Sequence, residues 1–130
     1  MTGISPRPCD APDPRPRLIA HGDGSSRIEG VRCTECRLPV AFARLRCPAC
    51  GAAVAGDLFG PLGTVWSSTV VRIPVPGRTP PYALAYVDLD DGPRILAHAA
   101  RQADAPLRIG TRVRLTGISA GGDLVVEEDP

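Results

Sequence analysis

From residue 60 onward, apolar positions recur with period two in short runs closed by glycine and proline. Thr64-Val65-Trp66-Ser67-Ser68-Thr69-Val70-Val71-Arg72 is rich in β-branched residues and is bounded by a Gly-Pro pair and a proline, which predicts a strand. Tyr82 to Leu89 predicts a second strand. Asp91-Gly92 is a two-residue hairpin signal, and Arg94 to Ala99 reads as the returning strand. Residues 73–81 form a proline-rich loop, and residues 100–110 a connection with room for one turn of helix. Arg112 to Ile118 alternates charged and apolar positions, the pattern of a half-buried strand. Gly121-Gly122 then turns the chain into Asp123-Leu124-Val125-Val126-Glu127. Five short strands in roughly seventy residues suit a five-stranded Greek-key barrel of the OB type. An SH3-like barrel or a small sandwich produces a similar string.

Before residue 60 the pattern is weaker. Five prolines between Pro6 and Pro16 remove backbone donors and fix φ, so an extended or solvated tail is expected there. A proline-rich docking peptide is the sharper reading of that composition. Cys9 lies in this stretch without a motif partner and reads as a free thiol. Leu18-Ile19-Ala20 can start a short helix, which Gly22, Gly24, Ser25 and Ser26 break within a turn or two. Arg27 to Arg32 alternates as a strand. The expected organisation is a proline-rich lead-in over residues 1–30, a small unit over 31–59 and a β domain over 60–130.

The small unit carries the strongest chemical signal. Cys33-Thr34-Glu35-Cys36 and Cys47-Pro48-Ala49-Cys50 are two C-x-x-C pairs separated by ten residues. Each pair can sit on one tight turn with both sulfurs aimed at one point, and two such turns complete a tetrahedron of thiolates around zinc. Gly51 supplies the backbone freedom of the second turn, and Pro48 stiffens it. Cys33, Cys36, Cys47 and Cys50 are therefore the expected ligands of one structural zinc per chain, although four thiolates also suit a rubredoxin-type iron. A redox C-x-x-C would need a βαβ pattern around it, which is missing. Leu38-Pro39-Val40-Ala41-Phe42-Ala43 reads as the hairpin of this ribbon, with Phe42 packed over the metal site. His21 and His98 lie far from the pairs and nothing marks either as a ligand. A segment this short does not fold from its apolar core alone, and a metal is the usual remedy.

Charge narrows the partner classes. The net charge is +1, and all fifteen basic residues are arginine, a bias that suggests a GC-rich bacterial genome. Residues 61–130 carry seven arginines against eight acids, so the β domain is no polycation. No apolar run reaches the ~18 residues of a membrane span and no secretory leader opens the chain. Paired cysteines that read as ligands fit a reducing, cytoplasmic setting without membrane insertion.

Taken together, the two halves resemble a family of proteins with a rubredoxin-like zinc ribbon followed by an OB-fold domain, which accompany thiolase-like enzymes. The resemblance rests on the cysteine pairs, Gly63-Thr64-Val65 with Thr69-Val70-Val71, Pro81-Tyr82-Ala83, Val87-Asp88-Leu89-Asp90-Asp91-Gly92-Pro93-Arg94 and Ile109-Gly110-Thr111-Arg112-Val113. It covers roughly residues 31–118. It implies a non-catalytic accessory subunit that binds acyl-CoA, or completes the acyl-CoA site of a condensing, retro-aldol or lipid-transfer type enzyme or a hydratase. Family members place an amphipathic helical arm before the ribbon, whereas this chain has Gly22-Asp23-Gly24-Ser25-Ser26 there.

No catalytic set is recognisable in the sequence itself. Ser67 and Ser68 have no evident base, and Asp88, Asp90 and Asp91 cluster at a hairpin turn, where carboxylates are usually solvated turn formers. Arg72, Arg78 and Arg94, with Pro81 and Tyr82 at the rim of the proline-rich loop, are the candidate ligand or partner contacts. Arginine forks match phosphate oxygens, and a stiff loop loses little entropy on association. Two competing readings remain. One is a single-stranded nucleic-acid module in which Trp66, Tyr82 and Tyr86 stack bases and Arg112 and Arg114 meet phosphates. The other is a purely structural zinc scaffold.

Overall fold

The computed structural model describes residues 15–20, 25–100 and 104–130. Cys9, read as a free thiol, His21 and most of the proline-rich tail lie outside them. Nine strands and no helix are found among the described residues: β1 Arg17–Ala20, β2 Ser26–Cys33, β3 Pro39–Val40, β4 Val54–Phe59, β5 Leu62–Val71, β6 Tyr82–Leu89, β7 Arg94–Ala99, β8 Arg112–Ile118 and β9 Leu124–Glu128.

Strands β5 to β9 close into a barrel in the order β5-β6-β7-β9-β8, with β8 returning to β5. Every pair is antiparallel except β7 with β9. This is OB connectivity, and the five strands fall close to where the alternation predicts them. Inward positions are filled by Val65, Ala85, Val87, Ile95, Ala97, Val113, Leu115, Leu124 and Val126, each nearly inaccessible. Small Ala85 and Ala97, which face each other in register across β6 and β7, leave room for the larger residues opposite. Two bulges bend the barrel, one between Val65 and Ser67 and one between Leu115 and Gly117. The first turns Trp66 outward, as a bulged residue is typically re-aimed.

The first four strands form a second sheet. Strand β2 is its centre: β4 pairs along one edge, while β1 and then β3 share the other. Leu18-Ile19-Ala20, read as a possible helix start, is instead strand, because the open edge of β2 offers it backbone partners from Ser26 to Ile28. The predicted ribbon hairpin is reduced to Pro39–Val40. The opposite edge of β2 is paired by Val54–Phe59, a strand that the sequence reading did not identify.

The two sheets share one core. Ile28 from β2, Ala41 and Phe59 pack with the barrel interior. The Phe59 ring is fully buried in a slot made by two glycines. A Cβ on Gly30 would lie 2.9 Å from the ring, and one on Gly92 2.6 Å from it. This explains a departure from the expected two-residue hairpin. Leu89 donates to Pro93 O and Gly92 to Leu89 O, so residues 90–93 all belong to the connection. Gly92 does not have the positive φ that an Asp-Gly type I′ turn uses. Glycine is needed there because Phe59 presses on it.

Arg32 ties the same junction. Its guanidinium donates to Asp57 Oδ2 at 2.9 Å, to Arg37 O at 3.1 Å and to Asp91 O at 2.5 Å, and it lies 5.3 Å above the Phe59 ring. One side chain thus joins the first cysteine turn, β4 and the β6–β7 connection. Gly60 N donates to Asp91 Oδ1 at 3.0 Å and adds a further link. Asp91 is therefore more than a solvated turn former.

Candidate functional site

The four cysteines of the paired motifs converge. Their Sγ atoms all lie within 4.8 Å of one another, with Cys33 and Cys50 at 3.5 Å and Cys36 and Cys47 at 3.6 Å. Four thiolates around one tetrahedral metal ion, at roughly 2.3 Å from it, would stand roughly 3.8 Å apart. The quartet can therefore bind one metal ion. Cys33 and Cys47 are buried, while Cys36 and Cys50 face outward.

The turns that carry them are built alike. Glu35 N and Cys36 N point at Cys33 Sγ (3.4 and 3.3 Å), and Ala49 N points at Cys47 Sγ (3.4 Å). Such donors stabilise thiolate over thiol. Burial alone would push the Cys33 thiol up, yet the N–H groups of Cys36 and Glu35 and the neighbouring thiols bring it down to about 6. Cys47 is lowered chiefly by a backbone hydrogen bond from Cys50. Cys36 also has a backbone donor, Leu38, that favours its thiolate, but Cys33 beside it leads a balance that raises it to about 12. Cys50 is raised in the same way. A cation among the four sulfurs would favour all four thiolates together. Gly51 takes φ +76° after the second pair, as its position predicts, and Arg37 takes φ +65° after the first.

Phe42 does not behave as a lid for this site. It is partly exposed, carries Arg44 5.8 Å above its ring, and lines a cleft of about 390 Å³ with Tyr86, Leu96, His98 and Leu124 of the barrel.

The candidate contact residues fall into separate groups. Arg78 donates to Asp123 Oδ2 at 2.6 Å and to Ser119 Oγ at 3.1 Å, and lies 5.7 Å over the Tyr82 ring. Tyr82 stacks on His98 at 5.6 Å. His98 Nε2 is 3.5 Å from Asp123 Oδ2, and Nδ1 is buried without a hydrogen-bond partner. Burial first, then the Arg78 charge, lowers the His98 pKa against the pull of Asp123. The balance favours the neutral imidazole.

Arg94 belongs to a second group. It grips Asp88 with both nitrogens (2.6 and 3.1 Å) and lies 3.6 Å over Trp66, which meets Tyr86 edge-on at 6.2 Å. The cleft that Phe42 lines connects the Arg94 and His98 groups. Arg72 stands apart and donates to Asp104 O at 2.7 Å, while Pro81 follows a cis peptide at the start of β6. Arg112 and Arg114 pair with Asp90 and Asp129. Ser68 Oγ donates to Leu84 O and accepts from Leu107 N, a structural pairing.

The sequence reading missed Arg32, His98 and Asp123. Arg78 and Asp123 are 45 residues apart, so only the closed barrel brings them together.

Comparison with known proteins places this geometry. Residues 57–117 match the family model described as "ChsH2, C-terminal OB-fold domain". Among solved structures, a chain of one titled "Ltp2-ChsH2(DUF35) aldolase" superposes with a TM-score of 0.65 at 27% identity, covering 78% of this chain and 84% of that chain. No curated protein sequence matches.

Proposed function

We propose, from the match of residues 57–117 to the ChsH2 C-terminal OB-fold family, that this chain is a non-catalytic accessory subunit of a thiolase-like, acyl-CoA-processing enzyme. The observation that carries the reading is the solved relative, an aldolase by its title, whose likeness extends beyond the barrel to 78% of this chain. In this reading Cys33, Cys36, Cys47 and Cys50 hold one structural zinc ion, whose closed thiolate shell offers no open position for chemistry. The ion orders the first sheet, and the shared core transmits that order to the barrel. Four cysteines kept as metal ligands suit a reducing, cytoplasmic setting. Among the described residues no helix is long and apolar enough to cross a membrane.

Acyl-CoA is the ligand the subunit helps to hold. Arg72, Arg78 and Arg94, with Pro81 and Tyr82, are the proposed contact region. Because Arg78 and Arg94 already satisfy Asp123 and Asp88, they position the aromatic surface more than they offer free charge to phosphate. The subunit therefore completes a site rather than forming one alone. Adding the chain to its thiolase-like partner is expected to tighten acyl-CoA binding at least several-fold, while the chain alone shows no turnover. Unchanged affinity in a titration calorimeter would contradict this.

The nucleic-acid reading meets the same paired arginines. Arg94, Arg112 and Arg114 are each neutralised by an aspartate, so few phosphate counterions would be released. Binding to an oligo-dT strand is expected to be weaker than ~10 μM and to vanish at physiological ionic strength, since counterion release carries such binding. Fluorescence anisotropy showing submicromolar binding in ~150 mM salt would overturn it.

A further inference from the structure

The outward face of β5, β6 and β7 differs from the rest of the barrel. Trp66 is 50% exposed, Tyr86 46% and Leu96 50%. Tyr86 and Leu96 are cross-strand partners, and the β5 bulge swings Trp66 edge-on against Tyr86. Together Tyr86 and Leu96 form a ridge with a hollow on each side. One, of about 390 Å³, is closed by Phe42 from the cysteine sheet; the other, of about 260 Å³, is floored by Ser67, Ser68, Thr69 and Leu84. By contrast β8 and β9 turn Arg112, Arg114, Thr116, Glu127 and Glu128 outward, with Ile118 as their single exposed large apolar residue. Leu45, three residues beyond Phe42 in the chain, is 97% exposed.

Charge along this strip is uneven. At the barrel end Arg94 is matched by Asp88, so its guanidinium can be covered together with its counter-charge. At the cysteine end Arg37, Arg44 and Arg46 make no ion pair among the described residues, and Glu35 is the only acid between residues 31 and 56.

We propose that this strip, from Trp66 through Tyr86 and Leu96 to Phe42, together with exposed Leu45, is the surface that receives the thiolase-like partner, through an apolar patch on that enzyme bordered by acidic residues. The inference rests on the accessory-subunit reading and assigns its docking face. Trp, Tyr and Arg are the residue types that dominate binding energy at interfaces, and the two hollows give the partner's side chains pockets to fill. The unpaired arginines set the sign: a basic rim steers and orients an acidic one.

The test is coexpression of the full chain with each thiolase-like protein of its own genome, followed by affinity measurement for wild type, Trp66→Ala, Leu96→Asp, Arg44→Glu and a control, Glu128→Ala. All four positions are exposed, and unchanged thermal unfolding certifies each fold. Trp66→Ala and Leu96→Asp are expected to weaken the complex at least about tenfold, as loss of an interface anchor does. Arg44→Glu is expected to slow association several-fold and to flatten its salt dependence, with the control unchanged. A wild-type complex that all three face variants form equally well overturns the docking face and leaves the accessory-subunit reading standing. No complex with any such enzyme overturns both. A homodimer dispersed by Leu96→Asp, or oligo-dT binding abolished by Trp66→Ala, with enzyme binding untouched in either case, also overturns the docking face.

Discussion

The Cys47→Ser protein is expected to lose its metal and the whole of its cysteine sheet. Cys47 is buried, and its N–H and C=O groups close the second turn against Ala52 and Gly51. A seryl oxygen is a poor replacement for a thiolate at zinc. The binding energy of a structural zinc, about 10–16 kcal/mol in small peptides, is folding energy for a segment with so little core of its own. Losing even half of it exceeds the stability that a sheet of this size can supply. The damage spreads, because Ile28, Ala41 and Phe59 leave the shared core when the sheet opens. Metal analysis is expected to give one zinc per wild-type chain and none per variant, with loss of amide exchange protection over β2 and β4. A metal-free Cys47→Ser chain retaining that protection would falsify the structural role of the site.

Phe59→Ala is expected to cost about 3–5 kcal/mol, the usual range for emptying an aromatic core position. The ring is fully buried, seated between Gly30 and Gly92, and covered by the Arg32 guanidinium. No neighbour can collapse into the space without moving a backbone strand. The slot also makes the effect dependent on its wall. Gly92→Ala alone should destabilise, since its Cβ would stand 2.6 Å from the ring. In the Phe59→Ala background the contacts with the ring are gone and only the Cβ of residue 59, at 2.8 Å, has to give, so the same change should cost clearly less. Chemical denaturation of the four proteins reads this as a coupling of at least about 1 kcal/mol, typical of residues in contact. Additive losses would mean that the two residues do not share a slot.

These two sites show what the sequence makes legible. The barrel strands announce themselves because each is half-buried and strictly alternating, so period two is visible without knowing the partners. The cysteine turns are equally legible, since each C-x-x-C turn is local. The first sheet is harder. Val54-Ala55-Gly56-Asp57-Leu58-Phe59 has glycine and aspartate mid-strand, and it is a strand because β2 supplies partners from Ile28 to Cys33. Leu18-Ile19-Ala20 was ambiguous for the same reason, as an open β2 edge decides its state. Asp91-Gly92 does mark a turn, but the glycine is there to clear Phe59 and not to supply a positive φ. Arg32 and the Arg78–Asp123–His98 group stayed hidden because their partners lie in distant segments. The amphipathic arm implied by the family resemblance has no counterpart in Arg17–Ala20, which is a strand.

In the proposed function this chain works as part of an enzyme rather than alone. Light scattering coupled to sizing chromatography of the coexpressed proteins measures this most directly. A single peak holding both the chain and a thiolase-like enzyme in fixed stoichiometry, stable at physiological salt, is expected. Separate elution of the two at micromolar concentration, with this chain folded and metal-loaded, would contradict it.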